Sequence, residues 1–150
     1  MNKNVFSFQE KESVSKNVDA LVILFHGYGG CCANFKQIAD YWSGAISDNV
    51  HVIYPNAPFP FEGDVGVKDS YQWFSLLDRS ADAIALELES TSQLVEEFIT
   101  EQLDRFNISQ DKLILSGFSQ GCILSLYIAL YCKIKPAAVL GYSGCIYENK

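Results

Sequence analysis

Apolar residues in this 150-residue chain fall into short runs whose periodicity changes along the sequence. Four continuous runs lack helical spacing: Ala20 to Phe25, Val50 to Tyr54, Lys112 to Ser116 and Ala137 to Tyr142. Such runs are typical of strands that are covered on both faces of a parallel sheet. The alternating segment Val5 to Phe8 predicts a further short strand at an edge of the sheet.

Helical spacing appears between these runs. It predicts helices from about Asn34 to Ala45, from Ser80 to Phe106 and from Cys122 to Leu130, the last apolar on more than one side. Alternating strands and helices indicate an α/β fold, with a mostly parallel sheet and helices on both faces, formed by residues 1–150 as one domain. Right-handed crossovers would bring the turns after the strands to one carboxyl edge, where α/β sites lie.

One long segment fits neither pattern. Between Phe59 and Asp78 the chain carries five aromatic residues among glycines and prolines. Loops of this length in a compact domain are usually functional, and this one has enough aromatic area to line an apolar pocket. The alternative is that the rings only cap the sheet. The sequence leaves both explanations open.

Charge and composition narrow the class of partner. The net charge of −7 argues against nucleic acid or an anionic membrane, so we expect a small or neutral molecule. No apolar run reaches membrane-spanning length and the N-terminus lacks the pattern of a signal peptide, which predicts a cytoplasmic protein. Five cysteines, including the adjacent Cys31 and Cys32, are interpreted as reduced and buried. Two scattered histidines predict no metal site.

The candidate chemistry lies in the segment Gly117 to Gly121, which has the pattern GxSxG between a predicted strand and a predicted helix. That context predicts a nucleophile elbow with Ser119 at its tip. Glycines two positions either side allow the strand and helix to approach closely. A hydroxyl placed at a helix N-terminus lies where developing negative charge is favoured.

A second turn at the same edge follows Phe25, with the sequence His26-Gly27-Tyr28-Gly29-Gly30. Its glycines would let it pass beside the elbow, so that an amide near Tyr28 and the amide of Gln120 face an oxygen bound above Ser119. Paired donors of this kind form an oxyanion hole.

Four ordered motifs carry a family resemblance: VILFHGYGG at 22–30, YPNAPFP at 54–60, YQWFSL at 71–76 and GFSQG at 117–121. In this order they resemble the phospholipase/carboxylesterase family of α/β-hydrolases, which includes the acyl-protein thioesterases. The resemblance implies that Ser119 is the nucleophile, that the amides of Tyr28 and Gln120 are the oxyanion donors, and that Trp73 lies near the acyl-binding groove. It also implies hydrolysis of small acyl esters or thioesters without metal or organic cofactor.

The chain departs from the family in one respect. In α/β-hydrolases an acid and then a histidine follow the serine along the chain. After Ser119 this sequence has no histidine and no aspartate, and its only later carboxylate side chain is Glu148. His26 is interpreted as shaping the oxyanion loop, and His51 as structural. The resemblance therefore implies a chain without the last strands of the fold, close to inactive alone.

Three hypotheses remain open. The chain is a serine ester or thioester hydrolase completed by another segment, or a non-catalytic remnant that binds acyl groups or pairs through its exposed edge strand. A cysteine hydrolase is less favoured because the elbow carries Ser119, with Cys122 one turn into the helix. In the first two cases the apolar strand from Ala137 to Tyr142 would be an unpaired edge, which favours self-pairing or a complementing C-terminal fragment.

Overall fold

The computed structural model describes residues 6–15, 17–63 and 66–147. The strands and helices are β1 (Phe8–Lys11), β2 (Ala20–Phe25), α1 (Lys36–Ile46), β3 (Val50–Pro55), β4 (Phe59–Pro60), β5 (Tyr71–Gln72), α2 (Ala81–Phe106), β6 (Leu113–Phe118), α3 (Gln120–Tyr131) and β7 (Ala138–Tyr142). Short 3-10 turns at Cys32–Phe35 and Gln110–Lys112 precede α1 and β6.

The main sheet has the strand order β1-β3-β2-β6-β7, and every pairing except that of β1 with β3 is parallel. The predicted α/β class with a mostly parallel sheet is therefore confirmed. Phe25, Gly117 and Gly141 lie side by side across β2, β6 and β7, so the turns after these strands meet at one edge. The carboxyl edge is where the sequence placed the candidate chemistry.

The first strand begins later than predicted. β1 spans Phe8–Lys11 rather than Val5 to Phe8, and Val5 lies outside the described residues. The polar residues Gln9 to Lys11 concealed the strand because an antiparallel edge strand needs only one buried face. Here Phe8 packs against the core and pairs with Pro55 of β3.

Helices cover both faces of the sheet, as predicted. On one face α1 buries Ala39 against Val22, Leu24 and Val52. On the other face α2 and α3 pack over the opposite side chains of the same strands, including Ile23, in the larger apolar cluster. The 26 residues of α2 form one continuous helix. Both ends of α2 are capped. The Ser80 side chain accepts a hydrogen bond from the Ala83 amide, and Asn107 ends the helix with a positive φ of 52°.

The long aromatic segment contains the small antiparallel pair β4 and β5. Two of its rings, Trp73 and Phe74, are fully buried in the main apolar cluster, whereas Phe59 is exposed. For Trp73 and Phe74 the structure supports the simpler explanation, that aromatic rings of this segment cap the sheet.

β7 is an edge strand of the sheet, opposite β1, and within the described part of the chain it pairs with β6 alone. The strand begins one residue later than predicted, at Ala138 rather than Ala137. Leu140 and Tyr142 are exposed. Within the described residues no helix is both long and apolar enough to cross a membrane.

Candidate active site

Ser119 occupies a strained turn between β6 and α3. Its φ of 53° and ψ of −114° lie outside the regions that side-chain-bearing residues ordinarily adopt. The Ser119 amide donates to the Tyr142 carbonyl at 2.9 Å, which ties the turn to β7. A residue held in so costly a conformation is characteristic of functional turns.

The flanking glycines explain how this turn is accommodated. A Cβ on Gly117 would lie 2.6 Å from the backbone nitrogen of Cys122, and one on Gly121 would lie 2.6 Å from the His26 carbonyl oxygen. Both are overlaps with backbone atoms that cannot rotate away. The close approach that the GxSxG pattern predicted is therefore present, with α3 pressed against the ends of β6 and β2.

The loop after β2 runs beside the elbow. A Cβ added to Gly27 would be 3.4 Å from the Cβ of Ser119, so the two turns are in van der Waals range. Gly29 has a positive φ of 76°, and its amide donates to the Tyr71 carbonyl at 2.9 Å. Within the described residues, the amides of Tyr28 and Gln120 have no hydrogen-bond acceptor.

The Gln120 side chain has a role that the sequence did not indicate. Its Oε1 accepts from the Trp73 amide at 2.8 Å, and its Nε2 donates to the Phe74 carbonyl at 2.7 Å. A buried amide thus clamps the aromatic segment to the first residue of α3. No local sequence pattern could reveal a contact between residues 47 positions apart.

Trp73 does not present its ring on a surface. The side chain has 0% exposure, and its indole Nε1 donates to the His26 carbonyl at 2.8 Å. Its own carbonyl accepts from the Thr91 hydroxyl at 2.8 Å. The enclosed side chain holds the loop after β2 against α2, and the position of Trp73 near an acyl-binding groove stays a prediction.

Both ring nitrogens of His26 are occupied. Nδ1 donates to the Gly27 carbonyl at 2.7 Å, and Nε2 accepts from the Ala57 amide at 3.0 Å. Burial lowers the pKa of His26, outweighing the opposite effect of the Gly27 carbonyl, so the ring is neutral near pH 7. This geometry agrees with a structural role. His51, near the other end of its strand, pairs with Glu10 at 2.9 Å.

Sequence reasoning also missed Glu62, which lies in the aromatic segment. Burial alone would raise its pKa, but hydrogen bonds from Gln72, the Leu76 amide, Ser75 and Tyr28 hold the pKa at about 2. The carboxylate is therefore charged at any physiological pH.

A cavity of about 730 Å³ opens beside the two turns on the α1 side of the sheet. Its apolar walls include Phe35, Ile38 and Trp42 from the α1 region and Phe118 and Tyr142 from the ends of β6 and β7. On this face of the sheet, no helix among the described residues covers β6 and β7, and the cavity lies there.

The thiol near the elbow is a poor candidate for the nucleophile. Burial raises the pKa of the Cys122 thiol, which disfavours the thiolate that a cysteine nucleophile requires. Across residues 6–15, 17–63 and 66–147, no three histidine, cysteine or acidic side chains are grouped as metal ligands would be.

With this geometry established, the chain can be placed among known proteins. It belongs to the phospholipase/carboxylesterase family, whose model matches residues 8–150. It is 34% identical over 128 residues to acyl-protein thioesterase 1 of Schizosaccharomyces pombe, a match that covers 83% of this chain and 55% of the relative. Acyl-protein thioesterase 1 of Kluyveromyces lactis is 28% identical over 148 residues, covering 96% of this chain and 63% of the relative.

Solved structures agree with the fold. The crystal structure of esterase PE8 superposes with a TM-score of 0.85 at 28% identity, covering 95% of this chain and 65% of that protein. The Bacillus cereus carboxylesterase, at 15% identity and a TM-score of 0.67, supports the fold alone, over 97% of this chain and 62% of that protein. The family resemblance and the α/β-hydrolase fold are confirmed. The chain spans about 55% to 63% of these two curated relatives.

Proposed function

We propose that this chain carries the nucleophile and the oxyanion hole of a serine hydrolase that cleaves small acyl esters or thioesters. The observation that carries the proposal is the backbone of Ser119, strained at the junction of β6 and α3 beside two amides that lack acceptors among the described residues. The names of the relatives, acyl-protein thioesterase and esterase, support the same class of reaction.

In this reaction the Ser119 hydroxyl oxygen attacks the acyl carbonyl carbon while its proton passes to a general base. The carbonyl oxygen becomes an oxyanion that accepts hydrogen bonds from the amides of Tyr28 and Gln120. Collapse expels the alcohol or thiol, which takes the proton from the base, and water then hydrolyses the acyl-enzyme. Losing one oxyanion donor typically costs about 3 kcal/mol of transition-state stabilisation.

Neither histidine among the described residues is placed to act as the general base of this mechanism. His26 uses both nitrogens, and His51 is paired with Glu10 near the amino end of β3. Without a base, turnover falls by about a millionfold, leaving roughly a thousandfold advantage over water. The mechanism therefore requires a base other than His26 and His51.

A fluorophosphonate probe tests the nucleophile directly. Labelling of the folded chain that maps to Ser119 and disappears in Ser119→Ala supports the proposal. Absence of labelling in protein with intact circular dichroism and a cooperative melt refutes an activated nucleophile in this chain by itself. If labelling is also absent when a complementing C-terminal polypeptide is present, the result favours the second candidate, a non-catalytic protein that pairs through β7.

The second candidate rests on the exposed side chains of β6 and β7 and on the unpaired edge of β7. On the α1 side, Leu140 and Tyr142 of β7 and Phe118 of β6 are exposed, and the strand edge has no partner among the described residues. An apolar edge of this kind invites pairing with a further strand. We therefore propose that a complementing C-terminal segment binds to this edge of β7. The alternative is that a second copy of the chain binds there.

A complementation experiment distinguishes a bound C-terminal segment from a second copy of the chain. The C-terminal part of the S. pombe thioesterase, beyond its region of similarity to this chain, is supplied as a separate polypeptide. A gain in Ser119 labelling that depends on this polypeptide supports a divided hydrolase. A stable homodimer of the chain that excludes the polypeptide supports pairing through β7 instead.

A further inference from the structure

The side chain of Tyr28 is held at its hydroxyl and at its ring by residues of the aromatic segment. Its hydroxyl donates to Glu62 Oε1 at 2.9 Å, and its ring lies edge-on to Phe61 with centroids 4.8 Å apart. The Glu62 carboxylate also accepts from the Ser75 hydroxyl at 2.8 Å and from the Leu76 amide at 2.6 Å. One charged group therefore joins the loop after β2 to two points of the aromatic segment.

The backbone on the far side of Tyr28 is held by the same segment. The Gly29 amide donates to the Tyr71 carbonyl and the Tyr71 amide donates to the Gly30 carbonyl, both at 2.9 Å. The Ser70 hydroxyl donates to the Gly29 carbonyl at 2.7 Å. Between these fixed points and Gly27, which lies against the elbow, the peptide of Tyr28 has few ways to turn.

We propose that Glu62 is a positioning residue that, through the Tyr28 hydroxyl, orients the Tyr28 backbone amide toward an oxygen bound above Ser119. The inference deepens the proposed function and rests on it. A hydrogen bond from a phenol to a carboxylate is charge-assisted and stronger than one between neutral groups. Such a contact suits an oxyanion donor, because donors must be oriented before charge develops.

A merely structural role for Glu62 makes a different prediction. In that case the carboxylate would stabilise the aromatic segment through Ser75 and Leu76, and its contact with Tyr28 would be incidental. The two roles are separated by a double-mutant cycle, since coupled residues give non-additive effects and independent residues give additive ones.

The variants are Glu62→Gln, Tyr28→Phe and the double variant, compared by the rate at which a fluorophosphonate labels Ser119. Each single change is expected to slow labelling by about tenfold, and the double change by no more than either alone. Ser75→Ala, which keeps the bond from Tyr28 to Glu62, serves as the control and should label at close to the native rate. Additive losses in the double variant would overturn the proposal.

Amide hydrogen exchange supplies a readout that does not need a reactive serine. Glu62→Gln and Tyr28→Phe should both speed exchange at the amides of Gly29 and Gly30, while Ser75→Ala should not. Unchanged exchange at these amides in Glu62→Gln would overturn the proposal. If the native chain does not label at all, the proposed function fails for the isolated chain, and exchange still decides the role of Glu62.

Discussion

The close backbone approach between α3 and β2 gives a sharp test of the fold at the elbow. A Cβ on Gly121 would lie 2.5 Å from the Phe25 carbonyl carbon and 2.6 Å from the His26 carbonyl oxygen, whereas ordinary contact begins at 3.4 Å. Because these neighbours are backbone atoms, Gly121→Ala forces the helix and strand apart by on the order of 1 Å. We expect a loss of about 2–3 kcal/mol in the free energy of unfolding, although alanine is the better helix former.

For a domain of this size that loss corresponds to a fall in melting temperature of about 5–10 °C. The assay is thermal and urea unfolding followed by circular dichroism. Gly27→Ala is the matched control, since its Cβ would lie 3.2 Å from the ring of Phe118, a side chain that can move. We expect it to cost less than about 1 kcal/mol. A Gly121→Ala protein that melts within a degree of the native chain would refute the close approach on which the elbow depends.

Three further predictions concern the surroundings of the elbow. Gln120→Leu leaves the buried Trp73 amide and Phe74 carbonyl without partners, so urea unfolding should show a loss of about 2–4 kcal/mol; a loss under about 1 kcal/mol would contradict the clamp. The folded pKa of Glu62, about 2, lies below its ordinary value of 4.5, so its carboxylate stabilises the fold above pH 4.5 and loses that contribution as pH falls toward 2. The difference in melting temperature between the native chain and Glu62→Gln should therefore narrow over this pH range, and a constant difference would argue against it. Leu140→Lys, at a side chain 39% exposed on the edge strand, should reduce concentration-dependent association in sedimentation while leaving circular dichroism unchanged; association that persists would exclude this edge.

The elbow could be predicted from the sequence because its signal is local. Strand periodicity before Gly117, helical apolar content after Gly121 and the spacing of the two glycines around Ser119 all lie within one short stretch. The same holds for the strand Ala20–Phe25, whose bounds match the prediction. Where a feature is encoded by neighbours in sequence, the pattern suffices.

The support of the elbow could not be predicted, because it depends on contacts between distant residues. Glu62 meets Tyr28 across 34 positions, and Gln120 meets Trp73 across 47. The motif around Trp73 contributed to the family resemblance, but it did not indicate which way the indole ring points. Its ring is enclosed by the core, a result of tertiary packing that periodicity does not describe.

The separation of roles within the site has a kinetic consequence. The groups proposed to stabilise the oxyanion lie on turns after β2 and β6, whereas His26, the histidine beside them, has both ring nitrogens in hydrogen bonds and a pKa that burial lowers. The chain alone would then retain only the contribution of binding and the oxyanion hole, about a thousandfold over water. A complementing segment that brings a base should raise turnover by about a millionfold without changing the labelled residue, Ser119. Substitutions at Tyr28 and Glu62 should lower the rate by the same factor before and after complementation, because they act on the oxyanion and not on the proton transfer.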